Sequence, residues 1–163
     1  MYKCLYGYTY YCVFKGTLLN EQINTSALQR CVHTNIRRVD RVVTRFYDEA
    51  LASGGLSATQ FALLATLAEV APITINPLAE ILVVDRTTLT RNLELLAKKR
   101  LIRWEKGRDQ RVRLAYLTRE GEQMLQATWP LWQQAQSQIE QAFGHERFNA
   151  LLTELAALME LAR

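Results

Sequence analysis

Six side chains within thirteen residues carry the recognisable chemistry of this chain: Arg86, Thr87, Thr88, Thr90, Arg91 and Lys98. None stands with a nucleophile's base or with metal ligands, so the chemistry on offer is hydrogen bonding to an acceptor-rich polymer. A guanidinium matches guanine O6 and N7 bidentately, which makes Arg91 the candidate for reading a base. Thr87, Thr88 and Thr90 can meet a phosphate or a thymine methyl. Arg86 and Lys98 suit phosphate contacts, which position without specifying. A second basic group follows in Gly107-Arg108-Asp109-Gln110-Arg111. Arg108 and Arg111 can enter a narrow minor groove, whose negative potential attracts cations. Asp109 is expected to pair with Arg111 and hold this tip in shape.

The charge distribution agrees. Between Arg86 and Arg113 stand ten Lys/Arg and three acids, a local net of +7, whereas the whole 163-residue chain carries only +4. A solvated basic face is the ordinary meaning of a charge run. Concentration in one short unit beside a Thr/Arg face points instead to a polyanion, double-stranded DNA.

Other classes find little support. The chain has two histidines, no glycine-rich phosphate loop, no nucleophile elbow and no clustered acids at metal spacing. No catalysis, cofactor or metal is expected. No apolar run approaches the ~20 residues of a membrane span. Three cysteines, Cys4, Cys12 and Cys31, form an odd set without metal-ligand spacing. That fits a reducing, cytoplasmic setting rather than a disulfide framework.

These side chains need a helix and a hairpin to hold them. Leu89, Leu93 and Leu96 recur at helical period behind the N-cap residue Asp85. After that helix, two short runs rich in Ile, Trp, Val and Tyr flank the turn tetrad Gly107–Gln110. Upstream, Ser57 with Gln60 has the capping-box pattern and opens a helix burying Phe61, Leu64 and Leu67. Thr74 or Asn76 caps a short helix to Val83, and Val84-Asp85 turns into the helix above. Short helix, tight turn and second helix make a helix-turn-helix, although Val83 and Val84 resist positive φ.

A long first helix runs from Thr25, through a Ser26/Gln29 capping box, to Gly54-Gly55. Its length implies a dimerisation helix, with a buried intrachain helix as the competing reading. Thr118 starts a fifth helix containing Pro130, a kink site. A last helix covers 146–163 with Leu151, Leu152, Leu155 and Leu158. The fold class is therefore mainly α with a small β-hairpin wing: a winged helix-turn-helix over 56–117 and a helical dimerisation region over 25–55 and 118–163. Residues 1–24, with five tyrosines in the first eleven positions, read as an N-terminal appendage.

The order of elements resembles the MarR family of winged-helix transcriptional regulators. That family's wing signature is Asp-x-Arg, five residues, then Leu-Thr. It stands here as Asp109-Gln110-Arg111, VRLAY, Leu117-Thr118. The segments DRTTLTRNLELL and LSATQFALLATL look typical as well. The resemblance covers about residues 27–160. It implies a homodimer on a pseudo-palindromic operator, acting as a repressor released by a small phenolic or aromatic effector. For that effector, His33 and Arg37, four apart on one helix, can meet a carboxylate or phenolate. Some members of the family sense peroxide through a cysteine near the start of the first helix. Here His33 occupies that position and Cys31 precedes it by two residues, which leaves redox response through Cys31 as an alternative. A winged helix serving protein interaction or nucleoid packaging is the other.

Overall fold

The computed structural model describes residues 25–161 apart from 108 and 110. The tyrosine-rich 1–24, the Ser26 side chain and Arg108 lie outside the described residues. The chain divides after Val39 into two units.

In the first unit a 3-10 helix, Thr25–Arg30, precedes α1 (Val32–Leu51), so the single helix expected from Thr25 is broken at Cys31. The Asn35 side-chain amide donates to the carbonyls of Gln29 (2.8 Å) and Cys31 (2.9 Å). In a continuous α-helix the Gln29 carbonyl would accept from the main chain four residues on. Engaging it from a side chain lets the α-helix start afresh at Val32.

In the second unit α1 ends at Leu51, and a 3-10 turn over Ala52–Gly54 closes on Gly55 in the left-handed region (φ 76°). Helix α2 (Ala58–Val70) opens with the expected capping box. Ser57 Oγ accepts from the Gln60 N–H at 3.2 Å, and Gln60 Oε1 accepts from the Ser57 N–H at 3.5 Å. Asp48 Oδ1 accepts from the Ala58 N–H at 2.7 Å and ties α1 to this start. Helix α3 (Ile75–Leu82) has Thr74 at its N-cap without a side-chain capping bond, and Pro77 in its first turn.

Between α3 and α4 (Arg86–Lys98), Val83 adopts the left-handed conformation, φ 51° and ψ 45°. The strain costs a non-glycine residue roughly 1–2 kcal/mol. Leu78 and Leu89, on either side of the turn, are essentially fully buried. Each contributes about 1.5–3 kcal/mol. Packing therefore outweighs the strain, and the turn closes without a glycine.

The hairpin pairs β1 (Ile102–Lys106) with β2 (Arg113–Leu117) antiparallel, with Ile102 opposite Leu117 and Lys106 opposite Arg113. Ile73 adds an isolated bridge to Ala115 and stitches the hairpin to the loop before α3. Helix α5 (Arg119–Phe143) continues through Pro130, and α6 (His145–Leu161) follows. The core gathers Leu51, Phe61, Leu64 and Leu67 with Leu78, Leu89, Leu93, Leu96, Leu101 and Ile102. No residue of α6 is buried; Leu152, Leu155 and Met159 are exposed along it. Among the described residues no single helix is long and apolar enough to cross a membrane.

Candidate nucleic-acid interface

Helix α4 is fixed at its start and along one side. Asp85 Oδ1 accepts from the Thr88 N–H at 2.8 Å. Hydrogen bonds from Thr88, side chain and main chain, hold the Asp85 carboxyl below the usual carboxylate range. A depressed carboxyl stabilises fully above its unfolded value and loses that contribution only as pH falls through the folded one. The cap is therefore intact at neutral pH. Leu89, Leu93 and Leu96 bury the inner face. Arg86, Thr87, Thr88, Arg91 and Lys98 are all exposed on the remainder. Thr90 is half-buried and turns back on its own helix, donating to the Arg86 carbonyl at 2.7 Å. Its hydroxyl proton is thereby committed, which leaves the oxygen lone pair and the methyl for any ligand.

The wing tip is shaped by Asp109, by a different bond from the one expected. Its Oδ1 accepts from the Arg111 main-chain N–H at 2.9 Å, an Asx-type turn rather than an ion pair with the guanidinium. Gly107 N–H donates to the Val112 carbonyl (2.9 Å) and Val112 N–H to the Asp109 carbonyl (2.9 Å), closing the loop below it. Arg111 is exposed there. Several cations of the basic run serve the fold as well. The Arg103 guanidinium lies 4.6 Å from the Tyr116 ring centre and pairs with Glu105 at 2.9 Å. Arg113 lies 5.0 Å from the Trp104 ring centre. Lys99 Nζ donates to the Gly55 carbonyl at 3.3 Å and to Gln60 Oε1 at 3.1 Å. Stacking of this kind stiffens the strands and leaves the charge in place. Counting charges along the sequence could not separate these cations from the others. The strand register, once drawn, does, because it sets Arg103 opposite Tyr116.

A cavity of about 430 Å³ opens in the second unit among α1, α2 and α5. Tyr47, Phe61, Trp129 and Trp132 form its aromatic wall. Trp132 stacks on Phe61 at 5.9 Å and sits 5.0 Å from Trp129. Leu51, Ala58, Ala62, Ala65 and Thr66 complete the lining. Burial and then the nearby Glu140 carboxylate push the Tyr47 phenol up, so it stays protonated. It donates to Gln136 Oε1 at 2.6 Å, and Gln136 Nε2 donates to Glu140 Oε1 at 3.1 Å.

Comparison with known proteins settles the family. The model of the MarR family matches residues 54–111. The transcriptional regulator MosR of M. tuberculosis, solved in complex with DNA, is 35% identical and superposes with a TM-score of 0.71. The match covers 82% of this chain and 98% of that one. The chain belongs to the MarR family. A mutant of MarR from E. coli, complexed with operator DNA, shares the fold at TM-score 0.75 and 23% identity. There the match covers 83% and 99% of the two chains. So does BpsR of Bordetella bronchiseptica, whose DNA binding is regulated by 6-hydroxynicotinic acid, at TM-score 0.72 and 18% identity over 79% and 93%. Among curated protein sequences none matches the chain.

The chain is thus a winged-helix transcription regulator of the MarR family, and its remaining candidate residues fall outside the α4–wing unit. His33 and Arg37 are exposed on the first turns of α1, in the N-terminal unit. The cavity wall of the second unit is built from other residues. The sequence signal for this wall was present: Phe61, Trp129 and Trp132 each sit on an apolar stripe. A stripe cannot say whether it meets a core or an opening. Cys31 is a partly exposed free thiol at the residue just before α1. The Thr34 hydroxyl, then the Thr34 and His33 main-chain N–H groups, pull its pKa below the ordinary thiol value. Among the described residues no group of His, Cys, Asp or Glu could hold a metal ion.

Proposed function

We propose that the protein is a homodimeric, sequence-specific repressor binding double-stranded DNA, released by a small aromatic effector. The observation carrying this reading is the exposed Thr/Arg face of α4, with its inner leucines buried and its cap charged at neutral pH. In it Thr87, Thr88 and Arg91 enter the major groove, with Thr90 offering only its methyl and lone pair. Arg86 and Lys98 grip phosphates, Arg108 and Arg111 flank the duplex from the wing, and Asp109 shapes the tip without touching DNA. The lobe over 56–117 reads DNA and the helices over 25–55 and 118–163 hold the dimer, so half-sites are ~34–36 Å apart. The effector enters the Tyr47–Trp132 cavity, with His33 and Arg37 of the first unit as further candidates for its polar groups.

Replacing Arg91 by alanine tests the core of this. Operator affinity should fall by ~1–3 kcal/mol, with relaxed preference at one position of each half-site. An equal loss on every DNA sequence in a competition assay would reduce Arg91 to a phosphate contact. The same assay separates a regulator from a nucleoid or protein-interaction module. The intact protein should prefer its operator to bulk DNA by at least ~10³.

The state of Cys31 favours a second reading, redox response. A thiolate rather than a thiol is the reactive species, and this one accepts hydrogen bonds from the first turn of α1. Alkylation of the Cys31 peptide, followed by mass spectrometry across pH, should show a midpoint below the ordinary ~8.5. Thr34→Val should move that midpoint back up. A midpoint at or above the ordinary value in the intact protein would remove the redox reading.

A further inference from the structure

The ammonium of Lys99 ties the end of the DNA-reading helix to a corner of the molecule distant from it in sequence. Lys99 is the C-cap of α4, and its main-chain N–H donates to the Leu95 carbonyl at 3.1 Å. The chain leaves the helix at the next residue, Arg100, with φ 59°. The side chain therefore starts from a fixed point, and it ends on one as well. Nζ donates to the Gly55 carbonyl at 3.3 Å and to Gln60 Oε1 at 3.1 Å. Gly55 closes the turn after α1, and Gln60 belongs to the capping box that opens α2. The same Gln60 oxygen accepts from the Ser57 N–H at 3.5 Å, and the adjoining Ala58 N–H donates to Asp48 Oδ1 of α1 at 2.7 Å. A polar path thus runs from α1, through the start of α2, to the end of α4.

Two of the three donors of the ammonium are spent inside the protein. Lys99 counts among the cations of the basic run, yet its charge is held against the α1–α2 corner instead of being free for a phosphate. The buried leucines of α4 seat that helix, but apolar burial is non-directional and leaves its tilt loosely set. Charge-assisted hydrogen bonds add the missing direction. Tilt matters where two recognition helices must meet two half-sites together. One base pair more or less between them moves a half-site by about 3.4 Å and turns it by about 35°. Resting on the dimeric DNA-binding reading above, we infer that Lys99 is a positioning residue. Its link to Gly55 and Gln60 sets the half-site spacing that the dimer accepts, and it makes no phosphate contact.

Binding of the full-length protein to its operator, and to versions with one base pair inserted or removed between the half-sites, decides it. The intact protein should pay a penalty for either change. Lys99→Met should shrink that penalty by ~2–10-fold, the worth of the lost hydrogen bonds. Gln60→Ala should shrink it in the same direction without altering charge, and the double variant should behave as Lys99→Met alone, since the two residues share one contact. The dependence of affinity on salt is the second readout. Loss of a phosphate contact makes the slope shallower by ~0.9, whereas Lys99→Met should leave it as in the intact protein. A slope shallower by that amount would make Lys99 a phosphate contact and overturn the inference. So would a spacing penalty that neither variant moves, with the dimeric reading left standing. An intact protein indifferent to spacing would remove the dimeric reading together with it.

Discussion

Replacing Gly121 by alanine should lower stability by about 3 kcal/mol, the upper range for forcing an atom into packed structure. For a chain of this size that corresponds to a fall in Tm of roughly 6–12 °C at fixed protein concentration. Gly121 sits in the first turn of α5 and is buried. A Cβ there would overlap the Leu101 carbonyl oxygen and press at 3.0 Å on Leu117 Cδ1. The oxygen has no room to yield, because it belongs to the joint rooting the wing. Leu101 O accepts from the Thr118 N–H at 3.1 Å. Thr118 Oγ1 donates to the Arg100 carbonyl at 2.7 Å and accepts from the Gly121 N–H at 3.0 Å. One threonine therefore ends the hairpin, caps α5 and clamps both to the end of α4. Alanine at 121 must pry that joint apart, so operator affinity should drop with the melting temperature. A Tm change under ~2 °C would mean that the wing root shifts freely, and the joint would lose its assigned role.

The same joint shows what a sequence can and cannot disclose. Thr118 as a helix start, Asp85 as a cap and the Ser57/Gln60 box are local matters, each settled within four residues, and each was legible. The leucines of α4 were legible because burial on one face needs only the helical period. Features fixed by partners distant in sequence were not. The close approach of Gly121 to Leu101 depends on how α5 leaves the hairpin. Val83 in the left-handed region runs against its local preference and is imposed by packing on both sides. The break at Cys31 was hidden because Leu28 and Val32 continue the apolar spacing across it, while a single Asn35 amide decides where the α-helix begins. At the candidate interface the Thr/Arg face could be read directly. The aromatic cavity wall could not, since it joins Tyr47 and Phe61 to Trp129 and Trp132, which are distant in sequence.

Charging the exposed face of α6 should have the largest effect on DNA binding. Leu152 and Leu155 lie one turn apart there, 49% and 40% exposed, beside exposed Leu158 and Met159. Apolar side chains clustered at the surface in this way mark an interface. Each leucine buried against a partner contributes about 1.5–3 kcal/mol. In a two-fold interface every such contact occurs twice. A Leu152→Asp, Leu155→Asp variant places four carboxylates in that interface while burying none in the protomer's own core, so the helical circular dichroism should be little changed, while Tm falls by what dimerisation contributed. Sedimentation should then report a monomer. Two winged lobes on one dimer make the second half-site contact intramolecular, a gain of ~10²–10⁴ in avidity. Loss of the dimer should therefore weaken binding to the full operator by ~10²–10⁴, while a single half-site is bound nearly as before. If the doubly charged variant still sediments as a dimer, α6 is not the surface that pairs the protomers. If it is a monomer and yet holds the full operator unchanged, one lobe reads the site alone and the two-fold arrangement of half-sites falls.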